Sequence, residues 1–260
     1  MSIPHLARID LYPLKSLDGQ RVERARILPS GALQHDRAYA LFDDQGQVVN
    51  GKRFAQIHRL RSQISASFQT LTLVHPSLGR AVFDLEGDRT ALAQWLSEYF
   101  QIPIQIRHNP VMGFPDDTES PGPTVISTAT LETVASWYPN LTVEKLRSRL
   151  RTNLEVDGVP PFWEDQLFNE TDEGVIFKIG DTCLIGINPC QRCIVPTRDP
   201  HSGAPTPEFQ KIFIQQRQHN LPSWTTPSRF NHYYRLAVNT RIANTESHPV
   251  LCQGDPVMLL

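Results

Sequence analysis

The stretch of sequence that decides the fold covers residues 190–203 and reads CQRCIVPTRDPHSG. Cys190 and Cys193 stand three residues apart, between an apolar, strand-like run and a turn. A thiolate is a soft ligand that suits thiophilic metals, and the positive charge of Arg192 favours the thiolate form. A Cys-x-x-Cys pair by itself is equally typical of buried or redox-active thiols, so its meaning depends on partners elsewhere in the chain.

Length and composition indicate an ordinary folded protein. The 260 residues suffice for two modest domains or one large domain, with 40% hydrophobic and 20% charged residues. A net charge of -2 gives no support for binding a nucleic-acid polymer, and 21 prolines favour a β-rich, loop-rich fold. Four cysteines do not make a disulfide framework and favour a reducing compartment.

The first residues do not resemble a targeting segment. They lack the basic start and the long apolar core of a signal peptide. No apolar run approaches the roughly 20 residues that span a bilayer. We therefore expect a cytoplasmic protein that does not use a membrane.

Hydrophobic periodicity predicts two β-rich units with short helices. In the first unit, a strand is expected over 22–28, and turns at 43–46 and 76–79 are expected to join strands into hairpins. The spacing of Leu92, Trp95, Leu96 and Tyr99 predicts a helix. The prolines, glycines and aspartates of residues 108–124 predict the linker. The expected division is a first domain over 1–110, a linker over 111–124 and a second domain over 125–260.

The second unit combines strands with two further helices. Leu131, Val134 and Tyr138 predict a helix that Ser127 or Thr128 caps. Another helix is expected to start at Thr206, with threonine as the cap and proline in the first turn. A strand pair is expected within 174–187, and closing strands over 233–238 and 256–260.

Residues 190–203 resemble the cysteine loop of the MOSC family, named after the C-terminal domain of molybdenum-cofactor sulfurases. The chain keeps the Arg-Cys-Ile sequence, Thr197 and the Asp-Pro-x-x-Gly sequence, and has Pro196 where a small or hydroxylated residue is usual. Residues 12–16 (YPLKS) and 35–39 (HDRAY) are similar to the opening of the family's N-terminal domain. Residues 149–153 (RLRTN) are similar to its arginine–asparagine strand, and 254–257 (GDPV) to its closing strand. The resemblance implies a mostly β fold with short helices (α+β), in which a MOSC N-terminal β-barrel domain precedes a MOSC β-barrel domain.

The resemblance also implies a cofactor, molybdenum bound by a molybdopterin. In the family the second cysteine of this loop ligates molybdenum, so Cys193 is expected to be the metal ligand and the catalytic residue. Cys190 is then a neighbouring thiol or a small hydrophobic residue. The remaining cofactor-binding candidates supply cations, hydroxyls, amides or an aromatic ring, and they are Lys15, Ser16, Arg37, Ser127, Thr128, Arg149, Arg151, Asn153, Gln191, Arg192 and Tyr233. Each, taken singly, has an ordinary alternative as a surface charge, a helix cap or a core residue.

Family members with both domains include the mitochondrial amidoxime-reducing component and bacterial proteins that detoxify N-hydroxylated bases. The resemblance therefore implies two-electron reduction of an N–O bond in a small N-oxygenated substrate. Because four cysteines cannot supply an iron–sulfur cluster alongside Cys193, electrons are expected from a separate ferredoxin, flavoprotein reductase or small haem protein.

Two other functions remain open. The chain could carry the cofactor, or transfer sulfur to it, without reductase turnover, as the sulfurase relatives suggest. Sulfurases normally fuse this domain to a pyridoxal-phosphate domain, which we do not expect here. A zinc site at Cys190 and Cys193 is the third possibility, but structural zinc usually needs four ligands from two paired motifs.

Overall fold

Strands dominate the chain. The computed structural model describes residues 3–171, 173–243 and 249–260. The strands are His5–Leu11 (β1), Gln20–Val22 (β2), Arg24–Arg26 (β3), Tyr39–Phe42 (β4), Arg61–Ile64 (β5), Thr70–His75 (β6), Gly79–Asp84 (β7), Gln105–His108 (β8), Val125–Ser127 (β9), Leu154–Asp157 (β10), Val175–Ile179 (β11), Thr182–Gln191 (β12), Arg235–Ile242 (β13), Val250–Cys252 (β14) and Val257–Leu259 (β15). The α-helices are Arg89–Phe100 (α1), Thr128–Ser136 (α2), Val143–Leu150 (α3) and Phe209–His219 (α4). Short 3₁₀ turns occupy Ala55–Arg59, Trp163–Leu167, Val195–Thr197 and Pro227–Arg229.

The main sheet takes strands from both ends of the chain. Its order is β15-β11-β12-β13-β9-β10-β1-β2, so β1 and β2 lie beside the strands of the second half. By this order the sheet is open. A bridge between His5 and Pro256 and a hydrogen bond from Leu6 N to Asp255 O (2.8 Å) nevertheless bring β1 next to the start of β15. The sheet therefore curls around a core that includes Ile9 and Phe177, both 0% exposed.

The first half of the chain builds a smaller layer with a core of its own. β5, β6 and β7 form a three-stranded antiparallel sheet, and β4 pairs with β8. The expected turn at 76–79 joins β6 to β7. The expected turn at 43–46 is closed by a bridge between Phe42 and Val48. The predicted helix is α1, and its buried residues Leu92, Leu96 and Phe100 pack with the sheet residues Leu71 and Leu73. The strand expected over 22–28 is divided into β2 and β3.

The helices of the second half cover the main sheet. Residues of α2, α3 and α4 share one core with Leu236 and Ala237 of β13. Ser127 caps α2, because its side chain accepts a hydrogen bond from the Thr130 backbone N–H. The prediction that Thr206 caps the following helix is wrong. α4 starts three residues later, after Glu208 at φ 56°, and the Thr206 backbone N–H donates to Thr197 O (2.7 Å) instead.

One further expectation from the sequence needs correction. Residues 149–153 do not form a strand. Arg149 and Leu150 end α3, and Arg151 stops the helix in the left-handed conformation (φ 57°) with its N–H bonded to Arg147 O. The strand β10 starts only at Leu154. Residues 151–153 therefore form a sharp bend between α3 and β10. Consecutive side chains in this bend point in different directions.

The predicted fold class, mostly β with short helices, is confirmed. None of the helices in the described part of the chain is long and apolar enough to cross a bilayer. The division into 1–110, 111–124 and 125–260 stays a prediction. Contacts cross it at both ends of the chain, since β1 pairs with β10 and β3 pairs with β14.

Candidate functional site

A cavity of about 960 Å³ opens between the two halves of the chain. This volume lies at the upper end of the range for small-molecule sites. Most candidate residues line it, namely Lys15, Ser16, Arg37, Arg149, Arg151, Asn153, Gln191, Arg192 and Cys193. Its lining cations also include Lys52, Arg229 and Arg235, whereas its acids are Asp36, Asp116 and Asp117. The cavity is thus strongly basic within a chain of net charge -2.

Lys15 lies at the edge of the cavity. Its Nζ donates to the backbone oxygen of Phe114 (2.8 Å) and contacts Asp116 Oδ1 at 2.8 Å. Burial would raise the pKa of Asp116, but the charge and hydrogen bond of Lys15 lower it to about 2. The adjacent Ser16 has φ 76°, so the chain turns sharply where these two side chains reach the cavity.

Arg37 joins the two halves of the site. Its guanidinium pairs with Asp36 and donates to Asn153 Oδ1 (3.2 Å) and to the backbone oxygen of Arg151 (2.9 Å). Asp36 in turn accepts from the Tyr12 backbone N–H at 2.8 Å. Burial alone would lower the pKa of Arg37, but the charge of Asp36 raises it above the ordinary value. Arg37 is therefore a fixed positive charge.

Arg151 lies against the ring of Tyr12, as Arg37 does. Its guanidinium carbon is 4.3 Å from the centre of the Tyr12 ring, and that of Arg37 is 5.0 Å from it. Burial is the main cause that lowers the pKa of Arg151, and the neighbouring charge of Arg37 adds to it. Arg151 Nη2 is buried and has no hydrogen-bond partner among the described residues. Two cations held this close favour an anion beside them.

Arg149 and Arg192 attach the cysteine loop to the end of α3. Arg149 Nη1 donates to the backbone oxygen of Pro196 (3.2 Å), and Arg192 Nη2 donates to the backbone oxygen of Leu150. Arg149 is 6% exposed and its guanidinium lies 5.1 Å from the ring of Phe209. Burial lowers its pKa. Pro196, the departure from the family pattern, thus keeps its oxygen as an acceptor and is the second residue of the 3₁₀ turn Val195–Thr197.

The loop after Cys193 has a fixed conformation. Asp199 Oδ1 accepts from the backbone N–H groups of His201 and Ser202, each at 3.0 Å, and Gly203 N–H donates to Asp199 O (2.9 Å). Gly203 has φ +72°, and a Cβ there would lie 2.5 Å from the backbone oxygen of Ala55. Only glycine fits, because both its backbone angle and the close approach exclude a side chain. The loop therefore docks on the first half of the chain.

The two cysteines differ in environment. Cys190 is 5% exposed, and its Sγ donates to Asn239 Oδ1 at 2.9 Å. Burial raises the pKa of the Cys190 thiol to about 11, so it stays protonated at neutral pH. Cys193 is half-buried and free. Since the thiolate is the form that binds metals, Cys193 is the better ligand of the two.

Three candidate residues lie outside the cavity lining. Ser127 is 0% exposed and its hydroxyl is engaged with Thr130 (2.7 Å), as part of the cap of α2. Thr128 donates to Glu155 at 2.9 Å. Tyr233 packs against the core of the main sheet, with its ring 5.9 Å from that of Phe230. These three side chains have partners within the fold, and their role as cofactor ligands stays a prediction.

The cavity also contains residues that the sequence did not single out. Asp36 lies in one of the two segments that resemble the N-terminal domain. Tyr12 lies in the other and does not line the cavity itself, but its N–H donates to Asp36 and the centre of its ring is 4.3 Å from the Arg151 guanidinium carbon. Asn188 and Asn239 lie at the cavity near Cys190, with Asn239 Nδ2 donating to Asn188 Oδ1 (2.9 Å). His58 comes from a 3₁₀ turn in a segment that carries no motif. No sequence signal could have found His58, because its environment is assembled from distant segments.

The chemistry of the lining fits an anionic, molybdenum-bearing pterin. Buried nitrogens of Arg149 (Nε), Arg151 (Nη2), Arg192 (Nε) and His58 (Nε2) have no hydrogen-bond partner among the described residues. Unpartnered donors of this kind are costly unless a ligand uses them. Among all the residues that the structure describes, no group of three or more histidine, cysteine or acidic residues is placed so that it could hold a metal ion.

Comparison with known proteins agrees with this geometry. Residues 3–98 match the MOSC N-terminal beta barrel domain, and residues 124–258 match the MOSC domain. The chain belongs to the MOSC family. The two matched segments contribute the opposite walls of the cavity, Lys15 and Arg37 from the first and Arg151 and Cys193 from the second.

The relatives of this MOSC protein include longer curated proteins. Molybdenum cofactor sulfurase 2 of Culex quinquefasciatus is 24% identical over 252 residues, covering 79% of this chain and 31% of its own length. Molybdenum cofactor sulfurase 3 of Aedes aegypti is 33% identical over 95 residues, which are 35% of this chain and 12% of the sulfurase. The chain thus spans less than a third of these relatives. A solved structure, the YUAD protein from Bacillus subtilis, aligns with 98% of the chain and 94% of its own at 12% identity, with a TM-score of 0.36.

Proposed function

We propose that this MOSC protein holds a molybdenum–molybdopterin cofactor in the basic cavity and reduces N–O bonds of small N-oxygenated compounds. Electrons come from a separate donor protein, such as a ferredoxin, a flavoprotein reductase or a small haem protein. The observation that carries the proposal is the convergence of Lys15, Arg37, Arg151 and Cys193 on one cavity, although they come from segments far apart in sequence.

The residues divide the work of holding the cofactor. Cys193 is the residue that would ligate molybdenum, because its thiol is accessible while that of Cys190 is kept protonated by burial. Arg37 and Arg151 would bind the anionic part, with Tyr12 fixing both guanidinium planes. Arginine suits this role because its fork of donors matches phosphate oxygens. Asn153 is held by Arg37 and by a bond from its Nδ2 to Asp10 O (3.0 Å), which fixes the wall between them.

When bound, the cofactor supplies a two-electron centre next to a site that a substrate oxygen can reach. For a hydroxylamine the overall change consumes two electrons and two protons and yields the amine and water. The chain contributes the shape and charge of the site. Asn188, Asn239 and Asp117 line the cavity near Cys190, with Asn239 Nδ2 3.3 Å from Asp117 Oδ2, and they offer donors and acceptors to a polar substrate.

The first test concerns the metal and the thiols. We expect near-stoichiometric molybdenum and pterin in protein from a host that makes the cofactor. Cys193→Ser should lose the molybdenum and Cys190→Ser should retain most of it, because serine keeps a donor to Asn239. Independently of the cofactor, iodoacetamide at pH 8 should modify Cys193 and spare Cys190 in the cofactor-free chain. Zinc as the only metal, with no pterin fluorescence after acid oxidation, would exclude the proposal.

The second test concerns the reaction. With an artificial low-potential donor, the loaded protein should convert amidoximes, hydroxylamines or N-hydroxylated bases to the reduced products. Cys193→Ser is the matched inactive control. No product is expected without a donor.

The relationship to molybdenum cofactor sulfurases favours a second candidate, a protein that carries the cofactor or transfers sulfur to it. The same cavity and the same Cys193 serve both functions. A loaded, chemically reduced protein that leaves every N-oxygenated substrate untouched, yet passes its cofactor or a labelled sulfur atom to an acceptor enzyme, would establish this alternative.

A further inference from the structure

His58 is the cavity residue whose surroundings the proposed function does not yet explain. It lies in the 3₁₀ turn Ala55–Arg59 of the first half, yet its Nε2 is buried and has no hydrogen-bond partner among the described residues. Arg151 Nη2, from the second half, is in the same condition and lines the same cavity. Two unpartnered polar nitrogens from distant segments thus line one cavity, and the charge of Arg151 acts on the His58 ring.

The position of the His58 ring is determined by its neighbours. Arg61 Nη2 donates to the backbone oxygens of His58 (2.6 Å) and Pro200 (2.9 Å), which ties the turn to the cysteine loop. Gly51 packs against the ring, since a Cβ at Gly51 would lie 2.9 Å from His58 Nε2 and 3.2 Å from Val195 Cγ2. The absence of a side chain at Gly51 therefore leaves the space that the imidazole uses.

The charges around His58 are nearly all positive. After burial, the charge of Arg151 is the strongest influence that lowers the pKa of His58 to about 4, followed by Arg198 and Arg61. Asp199 acts in the opposite direction and is outweighed. The cations around His58 thus oppose protonation of the imidazole. An anion placed between His58 and Arg151 would remove this repulsion and favour the protonated imidazole.

We infer that His58 and Arg151 together form an oxyanion-binding subsite, in which one phosphate-type group accepts a hydrogen bond from each side chain. The natural ligand is the phosphate of the cofactor or an anionic group of the substrate. This subsite deepens the proposed function and rests on it only for the identity of that ligand. Binding brings a proton to His58, because the dianion reverses the local field.

Sulfate is a suitable probe, since it carries two negative charges throughout the range used and does not itself titrate. Calorimetry on the full chain, made in a host without the cofactor, should show sulfate binding with proton uptake at pH 6, measured in two buffers of different ionisation enthalpy. His58→Gln should abolish the uptake and weaken binding on the order of tenfold, as expected for one hydrogen bond to a charged group. His201→Gln, an exposed histidine of the neighbouring loop, is the matched control and should bind as the wild type.

Gly51→Ala provides a second variant that removes no charge. Its Cβ should displace the imidazole and weaken sulfate binding, while the fold is retained because Gly51 has no left-handed backbone angle. Unchanged affinity and unchanged proton uptake in His58→Gln would overturn the inference, whether or not the protein carries molybdenum.

The source of the oxyanion is decided in protein from a host that makes the cofactor. If the ligand is the cofactor phosphate, His58→Gln should lower the pterin content, as Arg151→Gln should. If pterin content stays at the wild-type level while sulfate binding to the cofactor-free chain is weakened, the subsite serves an anionic group of the substrate. If neither the wild type nor the variants contain pterin when made in this host, the proposed function is refuted. The sulfate result obtained with the cofactor-free chain is unaffected by that outcome.

Discussion

Arg217 and Arg151 both lie inside the molecule, but only Arg217 has a carboxylate against it. Arg217 is 0% exposed, and its Nη2 contacts the two Asp165 oxygens at 2.7 and 2.5 Å. Its guanidinium lies over the ring of Phe162 at 4.3 Å, and Thr225 donates to Asp165 at 2.8 Å. The charge is neutralised within the protein, even though Arg217 Nη1 has no hydrogen-bond partner among the described residues.

Arg151 is placed in the opposite way. It forms no ion pair within the described ranges, and another cation, Arg37, lies beside the same Tyr12 ring. Arg37 is neutralised by Asp36, which leaves the charge of Arg151 available to a ligand. A buried arginine stabilises the fold when the protein supplies its anion. It indicates a binding site when the protein supplies no anion for it.

The largest effect on stability is expected at Arg217. Arg217→Leu leaves the buried Asp165 without its partner and should reduce the free energy of unfolding by roughly 3–5 kcal/mol. Denaturant unfolding measures this. Lys211→Ala is the control on the same helix, because its surface pair with Glu208 is exposed and should contribute less than about 1 kcal/mol. Equal losses in the two variants would contradict the assignment of Arg217 to the fold.

The same buried cluster should make stability depend on pH through Glu164. Burial and then the charge of Asp165 raise the pKa of Glu164 from 4.5 to about 7. The folded protein keeps a proton that the unfolded chain loses, so stability falls as pH rises from about 4.5 to 7 and stays lower above it. Glu164→Gln removes this loss, on the order of 3 kcal/mol.

The measurement is the melting temperature of wild type and Glu164→Gln between pH 4.5 and 8. The variant should gain relative to the wild type as pH rises. Parallel profiles across this range would show that Glu164 is not protonated in the folded protein.

Arg151→Gln tests whether the buried arginine without an ion pair serves binding rather than stability. The pKa of Arg151 is lowered by burial and by Arg37, so the loss of its charge should change the free energy of unfolding by less than about 1 kcal/mol. Cofactor retention, measured as pterin after acid oxidation, should nevertheless fall at least tenfold. Arg59→Gln, at an exposed arginine, is the matched control. A large loss of stability with full pterin content would assign Arg151 to the fold.

The smallest effect is expected at the edge of the cavity, where Lys15 contacts Asp116. The Lys15 charge holds the pKa of Asp116 at about 2, below its usual value of 3.8. The contribution is therefore present above about pH 4 and lost as pH falls towards 2. Neighbouring atoms partly desolvate the Asp116 carboxylate, but the side chain still has 75% of its surface exposed to solvent, so we expect at most about 1 kcal/mol. Melting curves of Asp116→Asn and wild type should converge at pH 2, and a difference that persists there would exclude this pair as its cause.

Much of the fold follows from local sequence. The helix α1 and the hairpin of β6 and β7 agree with periodicity, because apolar spacing and turn residues act over short distances. The prediction that Thr206 caps a helix also rested on local sequence, and it was wrong. Its threonine–proline pair favours a helix start, but the bond to Thr197 O holds this residue in the cysteine loop. Likewise, the strand expected at 149–153 is a helix end, since Thr142 caps α3 and the helix continues to Leu150.

The site was partly predictable. The resemblance brought out Lys15, Arg37, Arg151 and Cys193, and the structure places them around one cavity. Ser127 was an equally good match, yet its hydroxyl faces Thr130 inside the protein. A sequence shows which residue types are present, but it does not show whether each donor already has a partner.

The sequence by itself determined the family and the α+β class and led to the prediction that Cys193 is the metal ligand, because these depend on residue types and their order along the chain. Only the tertiary structure decided which cations face one another and which are neutralised. Arg217 and Arg151 are the same residue in sequence, and Asp165 separates their roles because folding places it against one of them. His58 lines the same cavity for the same reason, since it and Arg151 come from different halves of the chain and share the cavity only after these have packed together.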